Sequence, residues 1–194
     1  AQIDETTFGG IFNFQAAQSF LLYPDNIDDW DNKYGGVGAA NNSNIPTGDD
    51  FKAKGSDLLG PAVAGDYKVT IDFQFGKYTV VPSPIAEIHE MYIVGDATPA
   101  GWDFDAPAAQ KMTKLNSVEF EITIALSANN YYKFNIKNPA GPDKYHPQMG
   151  SSSNTGGPLV YKANEDSPTM QAPSVAGNYK IHVNTFEMQT ELHK

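Results

Sequence analysis

Three residues of this 194-residue chain have types and surroundings suited to molecular recognition: Trp102, Lys133 and Tyr145. Trp102 sits in the turn-rich run Gly95-Asp96-Ala97-Thr98-Pro99-Ala100-Gly101-Trp102-Asp103, directly after the apolar Met91-Tyr92-Ile93-Val94. Its indole is expected to be partly exposed or to cap the edge of a core. Lys133 alternates with Tyr132, Phe134 and Ile136, which turns it away from the core together with Tyr131 and Asn135. Tyr145 lies beyond, in the polar loop Pro142-Asp143-Lys144-Tyr145-His146-Pro147. A flat ring offers its face to the C–H side of a sugar, and ammonium and amide donors reach the hydroxyls. Each residue also has a plain structural reading: an edge-packing Trp102, a solvated Lys133 and a loop-anchoring Tyr145.

Reaction chemistry is not assembled in the sequence. His89-Glu90 begins a zinc-protease pattern, but the position four after His89 is Ile93, so the second imidazole is missing. Gly36-Val37-Gly38 lacks the third glycine and the following helix of a dinucleotide cradle. There is no Gly-x-Ser-x-Gly elbow, and the 4 His residues are scattered. His182 falls on the polar face of its strand, as an ordinary surface histidine does. Asp25, Asp28, Asp29 and Asp31 supply hard oxygen ligands of the kind calcium takes. They lack the central Gly and distal Glu of a helix-loop-helix calcium site, and they read as a solvated acidic loop. Asn41-Asn42-Ser43 is a glycosylation tripeptide. The expectation is a protein that is not an enzyme and has no metal or cofactor.

The whole chain narrows the partner. Its 13 basic residues are all Lys, and 23 acidic residues leave a net charge of −10. Nucleic acid and anionic membranes, which need clustered cations, are poor partners for it, and uronate-rich or sulfated polymers are repelled. Cys is absent, which removes disulfides, thiolate metal sites and thiol nucleophiles. No apolar run is long enough to span a bilayer and the first ten residues carry no signal pattern. A soluble portion, mature or excised, is expected.

The elements that must position these residues show themselves through a repeat. Pro61-Ala62-Val63-Ala64-Gly65-Asp66-Tyr67-Lys68-Val69-Thr70 recurs 112 residues later as Pro173-Ser174-Val175-Ala176-Gly177-Asn178-Tyr179-Lys180-Ile181-His182. Asn32-Lys33-Tyr34 is echoed by Asp143-Lys144-Tyr145. Apolar residues alternate at Tyr67, Val69, Ile71, Phe73 and Phe75, at Phe120, Ile122, Ile124 and Leu126, and at Tyr179, Ile181 and Val183. Residues 14–23 read as strand and turn. The fold expected is all-β: two tandem antiparallel β-sandwiches of immunoglobulin-like or starch-binding-module-like type, over residues 1–82 and 83–194. Pro82-Ser83-Pro84 marks the boundary, since prolines disfavour continued sheet pairing. The repeat sets Ala1 opposite Thr113, so the first copy has no counterpart of residues 88–112 and is expected to lack its leading strands.

Met91-Tyr92-Ile93-Val94-Gly95-Asp96 with Gly101-Trp102-Asp103, then residues 120–126, Tyr132-Lys133-Phe134 and Ala176-Gly177-Asn178-Tyr179-Lys180-Ile181, resembles the SusE/SusF-like family of starch-binding surface lipoproteins. The likeness covers nearly all of residues 86–194, and the repeat extends it to residues 1–81. The order of a Gly-Trp turn, a Tyr-Lys-Phe strand and a later loop aromatic is similar to the starch-binding modules of amylases. There the two aromatics sandwich glucose units and the Lys donates to hydroxyls. The resemblance implies Trp102, Lys133 and Tyr145 as the glycan site, with Tyr131 and Asn135 beside them. Those modules usually carry Trp where this chain has Tyr145.

In the first copy Leu21 stands opposite Lys133, and Trp30 with Tyr34 is the candidate platform. Carboxylates around Trp30 resist its burial. The family implies non-catalytic capture of neutral polysaccharide or oligosaccharide at a bacterial outer membrane, through an N-terminal lipid, beside other glycan-uptake proteins. The readings that compete with it are a spacer or adhesin without glycan affinity, and a glycoside hydrolase accessory or catalytic domain.

Overall fold

A computed structural model describes residues 1–24, 30–38, 48–105, 107–137, 143–153 and 156–194. The chain divides into two compact units, Ala1–Glu87 and Ile88–Lys194. Both are antiparallel β-sandwiches, and among the described residues helix is limited to single 3-10 turns. None is long and apolar enough to cross a membrane.

The first unit contains β1 (Thr7–Phe14), β2 (Ser19–Phe20), β3 (Tyr34–Gly36), β4 (Gly48–Ala53), β5 (Leu58–Leu59), β6 (Gly65–Asp72) and β7 (Lys77–Pro82). One sheet has the order β1-β6-β7-β4-β3, and β2 pairs with β5. Its core is Phe51, Leu58, Val69, Tyr78 and Val80, with Phe14, Phe20, Leu22 and Tyr34 packed on it. The second unit contains β8 (Glu90–Val94), β9 (Thr113–Lys114), β10 (Glu119–Leu126), β11 (Tyr131–Lys137) and β12 (Gln148–Gly150). β13 (Gly157–Pro158), β14 (Val160–Lys162), β15 (Met170–Gln171), β16 (Gly177–Asn184) and β17 (Gln189–His193) complete it. One sheet runs β13-β17-β16-β10-β9; in the other, β11 is central, with β8 on one edge and β12 and β15 on the opposite one.

The 112-residue repeat is preserved down to single hydrogen bonds. β1 pairs with β6 so that Phe14 faces Gly65, and β10 pairs with β16 so that Leu126 faces Gly177. Ser19 faces Leu59 as Tyr131 faces Gln171. The Tyr67 hydroxyl donates to the carbonyl of Val63 at 2.9 Å, and that of Tyr179 to Val175 at 2.6 Å. Ala17 and Asn129, both at positive φ, donate their N–H to the carbonyls of Pro61 and Pro173. Such coincidences fix the same chain reversal in both copies, since a left-handed residue at one place bends the chain one way only.

β6 is shorter than its alternation predicts. It ends at Asp72, whose carboxylate accepts the N–H groups of Gln74 and Phe75, and Asn184 does the same for Phe186 and Glu187 after β16. A side-chain acceptor that satisfies two N–H groups stabilises a turn against further ladder. Phe75 therefore lies in an exposed turn rather than on the buried face of a strand. The turn closes with Gly76 at φ 62°, a place taken in the second unit by Met188 at φ 55°. Because a Cβ in that conformation costs about 1–2 kcal/mol, Gly76→Ala is expected to lower stability by about 1 kcal/mol and Met188→Gly to be neutral or stabilising, measured by thermal unfolding.

The proline-marked boundary also differs in detail. β7 runs through Pro82, paired with Tyr67, and the Ser83 N–H still donates to Asp66. A proline at the last residue of a strand sacrifices no needed ladder bond, so the division between the units falls after Glu87. No strand among the described residues takes in the first unit the place that β8 takes in the second.

Candidate functional site

β11 sets the floor of the site, because both of its faces are covered. Tyr132, Phe134 and Ile136 point into the sandwich, fully buried. Lys133 and Asn135 do point to the other face, yet they too are buried, Lys133 to 6% exposure. Alternation tells which face a side chain takes but not whether loops close over it, and the expectation of a solvated Lys133 is overturned. The loops that close over it carry Trp102, Tyr145 and Asp166.

Each loop is pinned through its backbone. After β8, Gly95 takes φ 146° and passes so close to β11 that a Cβ there would stand 2.2 Å from the carbonyl oxygen of Tyr131. The buried Gln110 then fastens the turn: its Oε1 accepts the Ala100 N–H at 2.7 Å and the Thr98 hydroxyl at 2.9 Å, and its Nε2 donates to the carbonyl of Ile93. The carbonyl of Tyr145 accepts from Asn135 Nδ2 and from Gln148 Nε2, each at 2.8 Å. Lys137 Nζ donates to the carbonyls of Phe104 and Lys144, tying the two aromatic loops to one strand. Burial holds the Lys137 ammonium below the usual lysine range.

On this frame stand three rings. Trp102 and Phe104 stack with centroids 6.4 Å apart and planes 18° apart, and Phe104 meets Tyr145 at 5.2 Å with planes 64° apart. Trp102 is 44% exposed and Tyr145 47%. Phe104 bridges them, so the aromatic surface is bent rather than flat. Lys133 Nζ lies 5.7 Å from the Trp102 ring centroid and 3.0 Å from Asp166 Oδ1. A cation against an indole face is attracted by the ring quadrupole.

Two of the ammonium groups around the rings have a carboxylate partner, whereas Lys137 meets only backbone carbonyls. Lys133 pairs with Asp166, Lys144 with Asp105 at 3.0 Å, and His146 Nδ1 lies 3.1 Å from Asp143. The site presents donors without a net positive cluster, which suits hydroxyls better than anions. The Lys133 hydrogen bond and charge hold the Asp166 carboxyl below the usual carboxylate range. A depressed folded-state pKa contributes stability above the unfolded value of 3.8 that is lost as pH falls through the folded one. Asp166 is largely exposed, so that contribution is small. An NMR titration of the Asp166 carboxyl is expected to show a midpoint below 3.8 that rises in Lys133→Met; an unchanged midpoint in the variant would deny the pair.

Tyr131 is exposed at the start of β11 on the face that Lys133 and Asn135 share. Asn135 is wholly buried; its Nδ2 positions the Tyr145 loop, and its Oδ1 has no hydrogen-bond partner among the described residues. Phe104, Asp166, Gln148 and Gln110 escape a sequence reading. Only Phe104 carries a local signal, two residues after Trp102 in an extended loop, whereas Asp166 is 33 residues from Lys133.

In the first unit Trp30 and Tyr34 do not form one platform. Trp30 is exposed in a 3-10 turn, edge-on to Tyr23 at 6.3 Å with Lys33 Nζ 5.0 Å from its ring. Tyr34 packs on Phe51 and Phe73 and pairs with Leu22 as Met149 pairs with Phe134. Pairing thus makes Tyr34 the counterpart of a core methionine, not of Tyr145. Asp25, Asp28 and Asp29 and the Asn41 tripeptide lie outside the described residues; Asp31 pairs with Lys54. Among the described residues no cluster of His and acidic groups is arranged to hold a metal.

No protein-family model matches the chain, and no curated protein matches it. Among solved structures, the crystal structure of SusF from Bacteroides thetaiotaomicron is similar over 99% of this chain, at 21% identity and a TM-score of 0.41. The match takes in 41% of the SusF chain, so this sequence spans about two fifths of that neighbour's length.

Proposed function

We propose that the second unit is a non-catalytic carbohydrate-binding domain for a neutral polysaccharide or oligosaccharide of the starch or malto-oligosaccharide kind. The observation that carries this reading is the bent Trp102-Phe104-Tyr145 surface above a buried ammonium. Sugar C–H faces gain from aromatic area, and a few placed donors fix orientation. Successive rings of an α-linked glucan turn relative to one another, and two inclined aromatic faces follow that turn where a flat β-linked ribbon needs coplanar ones. The matched charges around the rings favour a ligand without charge. A cell-surface, outer-membrane setting, a lipid anchor and other glycan-uptake partners rest on the family resemblance alone.

Binding is expected in the micromolar to millimolar range, about −4 to −8 kcal/mol, since a few ring contacts must offset the ordering of a flexible chain. Repeated contacts along a polymer raise the apparent affinity. Electrophoresis in gels containing amylose, with an acidic polysaccharide as control, tests the reading. Retardation in amylose alone, with no release of reducing sugar, is the expected result. Unretarded migration in every neutral glycan would sink it, and steady release of reducing sugar would refute the non-catalytic role.

A further inference from the structure

Lys137 is the last residue of β11, and two loops of the candidate site present carbonyl oxygens to its half-buried ammonium. Nζ donates to the Phe104 carbonyl at 3.0 Å and to that of Lys144. Two carbonyls that converge on one point repel each other unless a donor lies between them, and an ammonium, with three N–H donors on a flexible stem, serves both. Asp105 and Asp143 favour the charged form of Lys137, and Lys144 opposes it. The bonded carbonyls belong to Phe104 itself and to the residue before Tyr145, so the clamp acts within one residue of each ring. Other bonds stay inside a loop or run down to the sheet. Asp103 accepts the Asp105 N–H, Asp143 accepts those of Tyr145 and His146, and Asn135 and Gln148 hold the Tyr145 carbonyl. Among the described residues, the polar bonds that cross from one loop to the other are those of Lys137 and a Lys144–Asp105 ion pair. That pair is exposed on both sides, which makes it weak.

We propose that Lys137 is the positioning residue that sets linkage specificity: by holding the Phe104 and Tyr145 loops together it fixes the incline of their rings, and that incline favours α-linked over β-linked glucan. The inference rests on the carbohydrate reading given above and adds to it a residue that acts through two backbones rather than on the sugar. Specificity is a difference between two affinities, so a surface gains it by disfavouring the wrong chain as well as by offering area to the right one. Trp102 and Phe104, with planes 18° apart, are alone a nearly flat platform that a β-linked ribbon can follow. Tyr145, at 64° to Phe104, breaks that plane. Without the ammonium the two carbonyls lose their shared donor and the loops are free to part. The platform then keeps its area but loses its bend.

The test compares the parent chain with Lys137→Met, which keeps the stem and removes the donor. In the free proteins, nuclear Overhauser contacts between the Phe104 and Tyr145 rings are expected to weaken several-fold in the variant, while circular dichroism and thermal melts show it folded. In calorimetric titrations with maltohexaose and cellohexaose, the preference of the parent for the α-linked chain is expected to fall about fivefold, within the range that one net hydrogen bond supplies. A loss of affinity in equal proportion for both sugars is what a merely structural role produces, and it would overturn the proposal. So would a folded variant with unchanged ring contacts, or one that loses those contacts and keeps the preference. A parent chain that binds neither oligosaccharide fails the carbohydrate reading and this inference with it, whereas a parent that binds both alike fails this inference alone.

Discussion

Trp102→Ala is expected to weaken glycan binding by about 2 kcal/mol or more, roughly 30-fold in Kd, while the melting temperature moves by no more than a few degrees. The two halves of that expectation have separate structural causes. The indole is nearly half exposed and stands above Lys133, so its face is the largest apolar area the site offers a sugar. The loop beneath it is held by the Gln110 side-chain amide, the Thr98 hydroxyl and backbone bonds of Gly95 and Thr98, none of which the substitution removes. Lys133→Met keeps the buried stem and deletes the charge. It is expected to cost binding only about 1 kcal/mol, because an ammonium exchanges water or Asp166 for sugar hydroxyls with little net gain. Calorimetric titration with a soluble malto-oligosaccharide, alongside thermal melts, separates these effects. A folded Trp102→Ala, Tyr145→Ala double variant that keeps its affinity would remove this site from consideration.

The largest effect on stability is expected from Phe134→Ala. Phe134 is fully buried at the middle of β11, faces Ile93 on one side and Met149 on the other, and packs edge-on against Tyr132. Truncating such a ring leaves a cavity that the flanking strands cannot collapse into, and costs about 3–5 kcal/mol. The melting transition of the second unit should fall by about 10 °C or more. Glycan binding should weaken with it, since Lys133 and Asn135 flank Phe134 on the same strand. A shift of only a few degrees would mean that β11 is not the packed centre of this sandwich.

The period-2 pattern and the repeat made the strands legible, because buried and exposed positions of an antiparallel sheet alternate and a duplicated segment keeps its register. Thus β10, β11 and β16 are readable from their alternation. The end of β6 was less so: Phe73 and Phe75 continue the apolar alternation, but the Asp72 carboxylate turns the chain before them. Trp102, Lys133 and Tyr145 could be picked out as residues, and the structure gathers them around one bent surface. What joins them could not be read. Phe104 connects the two outer rings, Asp166 comes from a loop far along the chain, and Lys137, Asn135 and Gln148 act on carbonyls that no side-chain pattern reveals. The misplacement of Tyr34 has a similar origin. A short motif match aligned it with Tyr145, whereas strand pairing, which depends on loop lengths, aligns it with Met149.

The chain has 2 Trp residues, one in each unit, and their indole N–H groups give separate NMR signals. Titration with malto-oligosaccharide therefore reports directly on whether either unit binds the proposed glycan and whether the Trp102 surface is the contact. The predicted result is a saturable shift of the Trp102 indole signal, with saturation transfer from its ring to the sugar, while the Trp30 signal stays in place. A saturable shift at Trp30 with Trp102 unmoved, or no shift at either, would contradict the account.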